Sequence, residues 1–334
     1  MSKKMLYRPL GASGLEASVV GLGTFAIGGW FYGGADEKKS IEAIQASIDY
    51  GVNLIDTAPI YGFGLAETVV GKALKGRRDK ALIATKVGLV WDSKEGEFFM
   101  HADEKWPTSG PSKYEVYKNL KPESIRREIE LSLKRLATDY IDLYQTHWQE
   151  AITPIEVTME TLLRLKDEGK IRAIGVSNVS LDQLKRYGKV ASAQEKYSLL
   201  DRGIVEKGLV DYCVSHKIAV LSYFTMEQGL LSGTMDPERV FPDGDMRKND
   251  SKFNRENRIK VNKALENFKP IAGKHGVSVS QVVIALTALQ RGITHVLIGA
   301  RDAQQAAENA KAGWLRLTPT EVKELNRIID HELR

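Results

Sequence analysis

With 334 residues, 43% of them hydrophobic and 27% charged, the chain has the composition of an ordinary globular protein with room for one large α/β domain. Its net charge of +5 comes from Lys and Arg interleaved with Asp and Glu, which argues against an extended nucleic-acid surface and leaves a local anion site open. The single cysteine, Cys213, excludes an intrachain disulfide and a cysteine-rich metal site. No run approaches the 18 apolar residues of a membrane span, and Met1–Met5 lead into polar sequence without a signal-peptide apolar region, so a cytoplasmic protein is expected.

Residues 6–20 read as a hairpin turning at Gly11-Ala12-Ser13-Gly14, and Ser18–Leu22 is the first apolar strand. Apolar runs of strand length then alternate with segments of helical periodicity. The order is helix 38–50, strand 52–56, helix 66–75, strand 81–86, and then a polar and aromatic insertion over 88–119. Helix 122–136, strand 140–146, helix 155–168, strand 171–176, helix 181–188 and strand 191–196 follow. Helix 205–216, strand 218–223, helices near 257–275 and 279–290, strand 295–298, helix 303–312 and a C-terminal amphipathic helix over 318–331 complete the chain. From Val19 this makes eight strands alternating with helices, with no Pro/Ser-rich linker between them. Strict alternation implies parallel strands joined by right-handed crossovers. Eight units at this length favour a single closed (β/α)8 barrel over 1–334, with an N-terminal β-hairpin and an extra C-terminal helix.

Gly21-Leu22-Gly23-Thr24-Phe25-Ala26 matches G-x-G-x-x-G/A after the first strand, the fingerprint of an open Rossmann sheet. The context does not fit. Ile27–Gly34 intervene before a helix can begin at Asp36-Glu37, and no acid ends a second strand at the required spacing. These glycines are better suited to a loop that lets a ligand approach the backbone.

In a barrel, the carboxyl ends of the strands carry the chemistry. Asp56 ends one apolar strand, Tyr61 lies on the Gly- and Pro-bounded loop after it, Lys86 ends Ala81–Thr85, and His147 ends Tyr140–Thr146. A lysine at the end of so apolar a run needs an acidic partner. A tyrosine of ordinary pKa near 10 is a poor acid near neutrality, and an adjacent ammonium is expected to lower that pKa. A histidine can orient a carbonyl oxygen. Such a set suits proton donation to a carbonyl that receives a hydride, and the hydride must come from a cofactor.

The chain resembles the aldo-keto reductases through Gly21–Thr24, Asp56-Thr57-Ala58 with Tyr61-Gly62 and Glu67, Ala84-Thr85-Lys86, Leu133–Leu136 with Asp139–Leu143, and Gly169–Asn178. It is most similar to the bacterial branch that reduces assorted aldehydes and often accompanies sugar or polyol catabolism. The resemblance implies a (β/α)8 barrel, an extended NADPH, and a catalytic tetrad of Asp56, Tyr61, Lys86 and His147 with Tyr61 as general acid. It places Gly23, Thr24 and Asp56 beside the cofactor, Ser177, Asn178 and Gln194 on the nicotinamide carboxamide, and Tyr223 against the ring. It assigns the pyrophosphate to the loop holding Phe224, Thr225, Met226, Gly229 and Leu230, and the adenosine end to Gly299, Arg301, Gln305, Glu308 and Asn309. A guanidinium at a helix N terminus favours the 2′-phosphate of NADPH.

Three positions depart from the family pattern. Thr225 and Ile298 stand where relatives often carry proline, and Lys196 where they often carry an acid. For the substrate, Trp30, Tyr61, His147 and Trp148 are the candidates, with Phe31 and the insertion's Trp91, Phe98, Phe99, His101, Trp106 and Tyr114 at the mouth. Aromatic faces mixed with polar groups suit a small polar carbonyl substrate such as a sugar-derived aldehyde, for example an oxidised hexose. No nucleic acid or membrane partner is expected. The alternatives are an NADPH-binding regulatory or redox-sensing subunit of negligible turnover, and a Rossmann dehydrogenase built on the Gly21 fingerprint.

Overall fold

A computed structural model describes residues 4–29, 36–103, 107–108, 113–242 and 245–333. The chain opens with an antiparallel hairpin, β1 (Tyr7–Pro9) and β2 (Glu16–Ser18). At its tip Gly11 has φ +57°, and a Cβ there would fall 2.0 Å from the Ala191 carbonyl oxygen, so only glycine fits. Leu10 and Leu15 from this hairpin are buried against Leu54, Ala84, Leu143, Ala173, Ala219 and Leu297. The hairpin therefore plugs the amino-terminal end of the barrel.

Alternation of strand and helix then proceeds through β3 (Val20–Gly23), α1 (Glu37–Asp49), β4 (Leu54–Asp56), α2 (Leu65–Ala73) and β5 (Leu82–Val87). The polar and aromatic insertion is a small antiparallel sheet. It comprises β6 (Leu89–Val90), β7 (Glu97–Ala102), β8 (Pro107–Thr108) and β9 (Tyr114–Lys118), in the order β6-β9-β7-β8. The sequence signal was weak because the strands are short and their polar and aromatic residues do not alternate cleanly.

Helix α3 (Pro122–Leu136), β10 (Ile141–Thr146), α4 (Ile155–Asp167), β11 (Ile171–Ser177), α5 (Leu181–Tyr187) and β12 (Ser192–Lys196) continue the repeat. The helix expected over 205–216 is two, α6 (Gly203–Glu206) and α7 (Leu209–His216), because Gly208 adopts φ +73° between them. After β13 (Ala219–Tyr223), the segment 257–275 likewise divides into α8 (Arg255–Glu266) and α9 (Lys269–His275), the second with a proline in its first turn. The remainder is α10 (Val279–Ala288), β14 (Ile293–Gly299), α11 (Ala303–Lys311) and α12 (Pro319–Glu332). Reciprocal capping boxes start α5 at Ser180, α10 at Ser278 and α12 at Thr318.

Strands β3, β4, β5 and β10–β14 close into one parallel barrel. The first barrel strand begins at Val20 rather than Ser18, because the Ser18 hydroxyl donates to the Val20 carbonyl and accepts the Asn53 N–H, which ties it to the hairpin junction. Between barrel and helices, Ile44, Val70, Ile129, Leu162, Leu184 and Ile284 are buried with Ile55, Ile83, Tyr144, Val220 and Val296. Each of the aliphatic side chains contributes roughly 1.5–3 kcal/mol by burial. A second core joins α8, α10 and the extra helix α12 through Val261, Leu265, Val282, Leu286, Leu325 and Ile329. Among the described residues no helix is long and apolar enough to cross a membrane.

Residues two apart on a strand share a face. Leu54 and Asp56, Ala84 and Lys86, and Leu143 and Gln145 are thus stacked along the barrel interior, apolar below and polar above. The hydrophobic plug and the polar rim come from the same strands.

Candidate active site

Asp56 is the last residue of β4, and Lys86 lies near the end of the adjacent strand β5 and is 1% exposed. The Lys86 ammonium donates to both Asp56 carboxylate oxygens at 2.9 Å, to the Thr57 carbonyl at 3.0 Å and to the Tyr61 hydroxyl oxygen at 3.3 Å. A buried ammonium is tolerable only with partners of this kind. Burial alone would lower the Lys86 pKa, but Asp56 and Tyr61 outweigh it and hold the pKa above its ordinary value. The lysine is a cation.

Tyr61 is set by a tight turn, with its N–H on the Ala58 carbonyl at 3.1 Å. Gly62 follows at φ +63°, where a Cβ would lie 2.3 Å from the Gly28 carbonyl oxygen. The two loops meet so closely that neither glycine tolerates a side chain. Phe25 packs edge-on against the Tyr61 ring with centroids 5.0 Å apart. His147 follows β10, donates its backbone N–H to the Val87 carbonyl at 2.9 Å, and sets its ring 5.9 Å from that of Tyr61 at 79°.

Burial, and secondarily the Lys86 charge, depress the His147 pKa well below its ordinary value, so this imidazole is neutral. Tyr61 departs from expectation. Its pKa is raised, because burial outweighs the lowering by Lys86 and Asp56 adds to the rise. The phenol therefore holds its proton in the free protein. The structure thus brings all four predicted tetrad residues together at the carboxyl end of three strands.

The polar groups expected around a cofactor occupy the same rim. Gln194 on β12 turns its amide to Asp56, donating at 2.6 Å, and its backbone carbonyl accepts the Ser177 hydroxyl at 2.8 Å. Asn178 stands in the left-handed region at φ +56° and donates its amide to the His147 carbonyl and the Ser177 hydroxyl oxygen, each at 3.0 Å. Its side-chain oxygen accepts the Tyr223 hydroxyl at 2.7 Å. Thr24 donates its N–H to the Asp56 carbonyl at 2.9 Å, and Gly23 lies between Asp56 and Gly299 in the barrel.

Beyond β13, Phe224, Glu227 and Gln228 all have positive φ before Gly229 at +95°, while Thr225 bonds the Ser222 hydroxyl oxygen at 3.0 Å and Leu230 is buried. Met226 is half-buried. Lys196 pairs with Asp201 at 2.7 Å. At α11, Arg301 is exposed, its N–H donating to the Gln305 side-chain oxygen at 3.2 Å, and Asp302 caps the helix by accepting the Gln305 N–H. Asn309 donates to the Gly299 carbonyl at 3.1 Å. Glu308 instead accepts the Ser278 hydroxyl at 2.9 Å. The hydroxyls of Thr24 and Thr57 and the side-chain oxygen of Gln228 are buried without a protein partner. Orphaned polar groups along this rim, with a guanidinium at its far end, fit a long polar ligand such as a nicotinamide dinucleotide.

The insertion sheet covers one side of the site. Ala58, Ile60, Leu89, Ala102 and Val116 form a cluster against which Phe25, Tyr61, Phe63, Trp91, Phe99 and Trp148 pack. Phe63 lies 5.4 Å from Trp91 and 4.2 Å from Tyr114, and Trp148 lies 5.7 Å from Phe99, centroid to centroid. Trp30, with Phe31 and Trp106, lies outside the described residues. Phe25 and Phe63 were missed from sequence. The signal was the Gly62-Phe63-Gly64 triplet, a turn in which Phe63 stands at φ +53° before the following helix.

The pattern of the aldo/keto reductase family matches residues 19–330. Aldo-keto reductase YhdN of Bacillus subtilis (strain 168) is 40% identical over 336 residues, spanning 98% of this chain and 95% of that protein. The NADH-specific methylglyoxal reductase of Escherichia coli (strain K12) is 41% identical over 313 residues, spanning 91% and 92%. Among solved structures, glycerol dehydrogenase from Gluconobacter oxydans superimposes with a TM-score of 0.85 at 37% identity, over 100% of this chain and 97% of that one. A closed parallel barrel, a full-length sequence match and family-like relatives converge on one assignment: the chain belongs to the aldo/keto reductase family, whose members are NAD(P)H-dependent oxidoreductases acting on carbonyl groups.

Proposed function

We propose that this enzyme reduces a polar or sugar-derived aldehyde, such as an oxidised hexose, with NADPH, and that Tyr61 is the general acid. The observation that carries the reading is the buried Lys86 ammonium held between the Asp56 carboxylate and the Tyr61 hydroxyl, with neutral His147 beside them. A nicotinamide held by this rim would supply the hydride that the carbonyl carbon receives. Tyr61 gives its hydroxyl proton to the carbonyl oxygen as negative charge develops there. Its own pKa is too high to release that proton unaided, and the ammonium at 3.3 Å stabilises the phenolate left behind. Asp56 keeps Lys86 charged and aimed. A neutral imidazole still carries one N–H, which His147 uses to fix the carbonyl oxygen.

Gln194, Ser177 and Asn178 are read as the carboxamide-facing groups and Tyr223 as the ring-facing aromatic. Gln194 donates to Asp56 in the free protein, so on this reading its amide is shared between the tetrad and the cofactor. The loop from Phe224 to Leu230 is read as the pyrophosphate strap. Exposed Arg301 supports a preference for NADPH. The Asp302 carboxylate at the same helix end works against a phosphate, and so limits that preference.

The substrate class rests on the aromatic wall of Phe25, Phe63, Trp91, Phe99 and Trp148, interleaved with polar groups. Two relatives are named for small polar compounds, methylglyoxal and glycerol. The test is initial-rate kinetics over sugar aldehydes, short polar aldehydes and apolar ketones with NADPH and NADH in parallel. The expected result is a higher kcat/KM on polar aldehydes; activity confined to apolar ketones overturns the substrate reading.

A further inference from the structure

Glu195 is a buried acid bordering the site to which neither the tetrad nor the cofactor contacts give a role. It follows Gln194 on β12 and is 5% exposed. Successive residues of a strand face opposite sides, so Gln194 points into the barrel and Glu195 outward. The Glu195 carboxyl passes under the turn that ends β11, where its Oε1 accepts the Val179 N–H at 3.0 Å and the carboxyl also meets the Asn178 N–H. From the other side, the Gln194 carbonyl accepts the same Asn178 N–H at 3.2 Å. Asn178 is thus clamped between two consecutive residues of the neighbouring strand, at φ +56°.

That backbone conformation is unfavourable for an ordinary side chain and least so for asparagine or glycine. It aims the Asn178 amide across the site, donating to the His147 carbonyl and accepting from the Tyr223 hydroxyl. The turn thereby ties together the carbonyl-orienting histidine and the aromatic at the end of β13. An unheld turn would let both move.

We propose that Glu195 is a positioning residue for the reaction: by holding the backbone amides of the Asn178-Val179 turn, it sets the Asn178 side chain between His147 and Tyr223. It rests on the reading of Asn178 as a cofactor-binding group. Burial pushes the Glu195 pKa up to about 8, so near pH 7 the side chain is mostly the uncharged acid and serves as a hydrogen-bond acceptor rather than an ion partner. Glutamine is then a close mimic, which distinguishes this role from that of a buried charge.

The experiment compares Glu195→Leu, Glu195→Gln and Asn178→Ala with wild type, measuring NADPH and NADH dissociation constants by protein-fluorescence quenching beside kcat, KM and the thermal midpoint. Misplacement of a positioned group by about 1 Å can cost about 100-fold in rate. The expectation for Glu195→Leu is a loss of about 10-fold or more in kcat and a dissociation constant weakened several-fold. Glu195→Gln should restore both to within about threefold of wild type, since the acceptor oxygen is retained. If the leucine variant does not fold, Glu195→Asp replaces it, and its shortened reach should give the same losses. Leucine or aspartate variants with wild-type binding and turnover, while Asn178→Ala is impaired, overturn the role of Glu195 and leave the site reading intact. An unimpaired Asn178→Ala overturns both. A glutamine variant as damaged as the leucine one overturns the acceptor role in favour of a charge.

Discussion

Tyr61→Phe is the sharpest test of the acid assignment, because it removes one oxygen and little else. In the wild type the Lys86 ammonium has four acceptors within reach: both Asp56 oxygens, the Thr57 carbonyl and the Tyr61 hydroxyl. An ammonium has three N–H groups, so the variant leaves an acceptor for each of them. The edge-on contact with Phe25 depends on the ring, which is kept. The stability change should therefore stay within about 1 kcal/mol, the net worth of one hydrogen bond. Turnover is another matter. Loss of a positioned general acid typically costs about 100- to 10,000-fold, or roughly 3–5 kcal/mol of transition-state stabilisation. The assay is the loss of reduced-nicotinamide absorbance at saturating cofactor, with cofactor affinity measured separately by fluorescence quenching. A variant that binds cofactor normally and keeps more than about a third of wild-type kcat would refute the assignment, since removing a proton donor should cost far more than that.

Lys86→Met strands the buried Asp56 carboxylate with, among the described residues, only Gln194 as a side-chain donor, and should destabilise the protein by about 3–5 kcal/mol, read as a lower denaturant midpoint. The Gly62→Ala side chain would meet the Gly28 carbonyl at 2.3 Å with φ +63°, so the Tyr61 turn must shift, lowering both the thermal midpoint and kcat. His147 and His295 are both buried neutral, the first well below its ordinary pKa and the second pushed down to about 4. A depressed folded-state pKa means stability that is complete above the unfolded value near 6.5 and is lost as pH falls toward the folded value, at about 1.4 kcal/mol per pH unit for each group. Urea unfolding at pH 7, 6 and 5 should show that slope, and His295→Gln should make it shallower. Arg301→Ala should weaken NADPH about 10-fold while leaving NADH unchanged; an equal loss for both cofactors would mean that Arg301 does not meet the 2′-phosphate.

Features that repeat along the chain are legible from its residues. Apolar runs of strand length between amphipathic segments specify strand and helix, and eight such alternations leave a barrel as the economical closure. Barrel geometry then picks out Asp56, Lys86 and His147, because strand ends are visible in sequence. The remaining features depend on contacts between distant segments. The antiparallel pairing of β7 with β9 joins residues on either side of β8, a pairing that no local pattern in the 88–119 insertion announces. The Gly62–Gly28 approach and the turn of Gln194 toward Asp56 are contacts between separate loops and strands. The Tyr61 pKa went opposite to expectation for the same reason. Its partner Lys86 was legible from local pattern, but desolvation sums over every atom that excludes water, and those atoms come from the whole fold. Glu195 looked like one acid among many until the barrel placed it beneath the Asn178 turn.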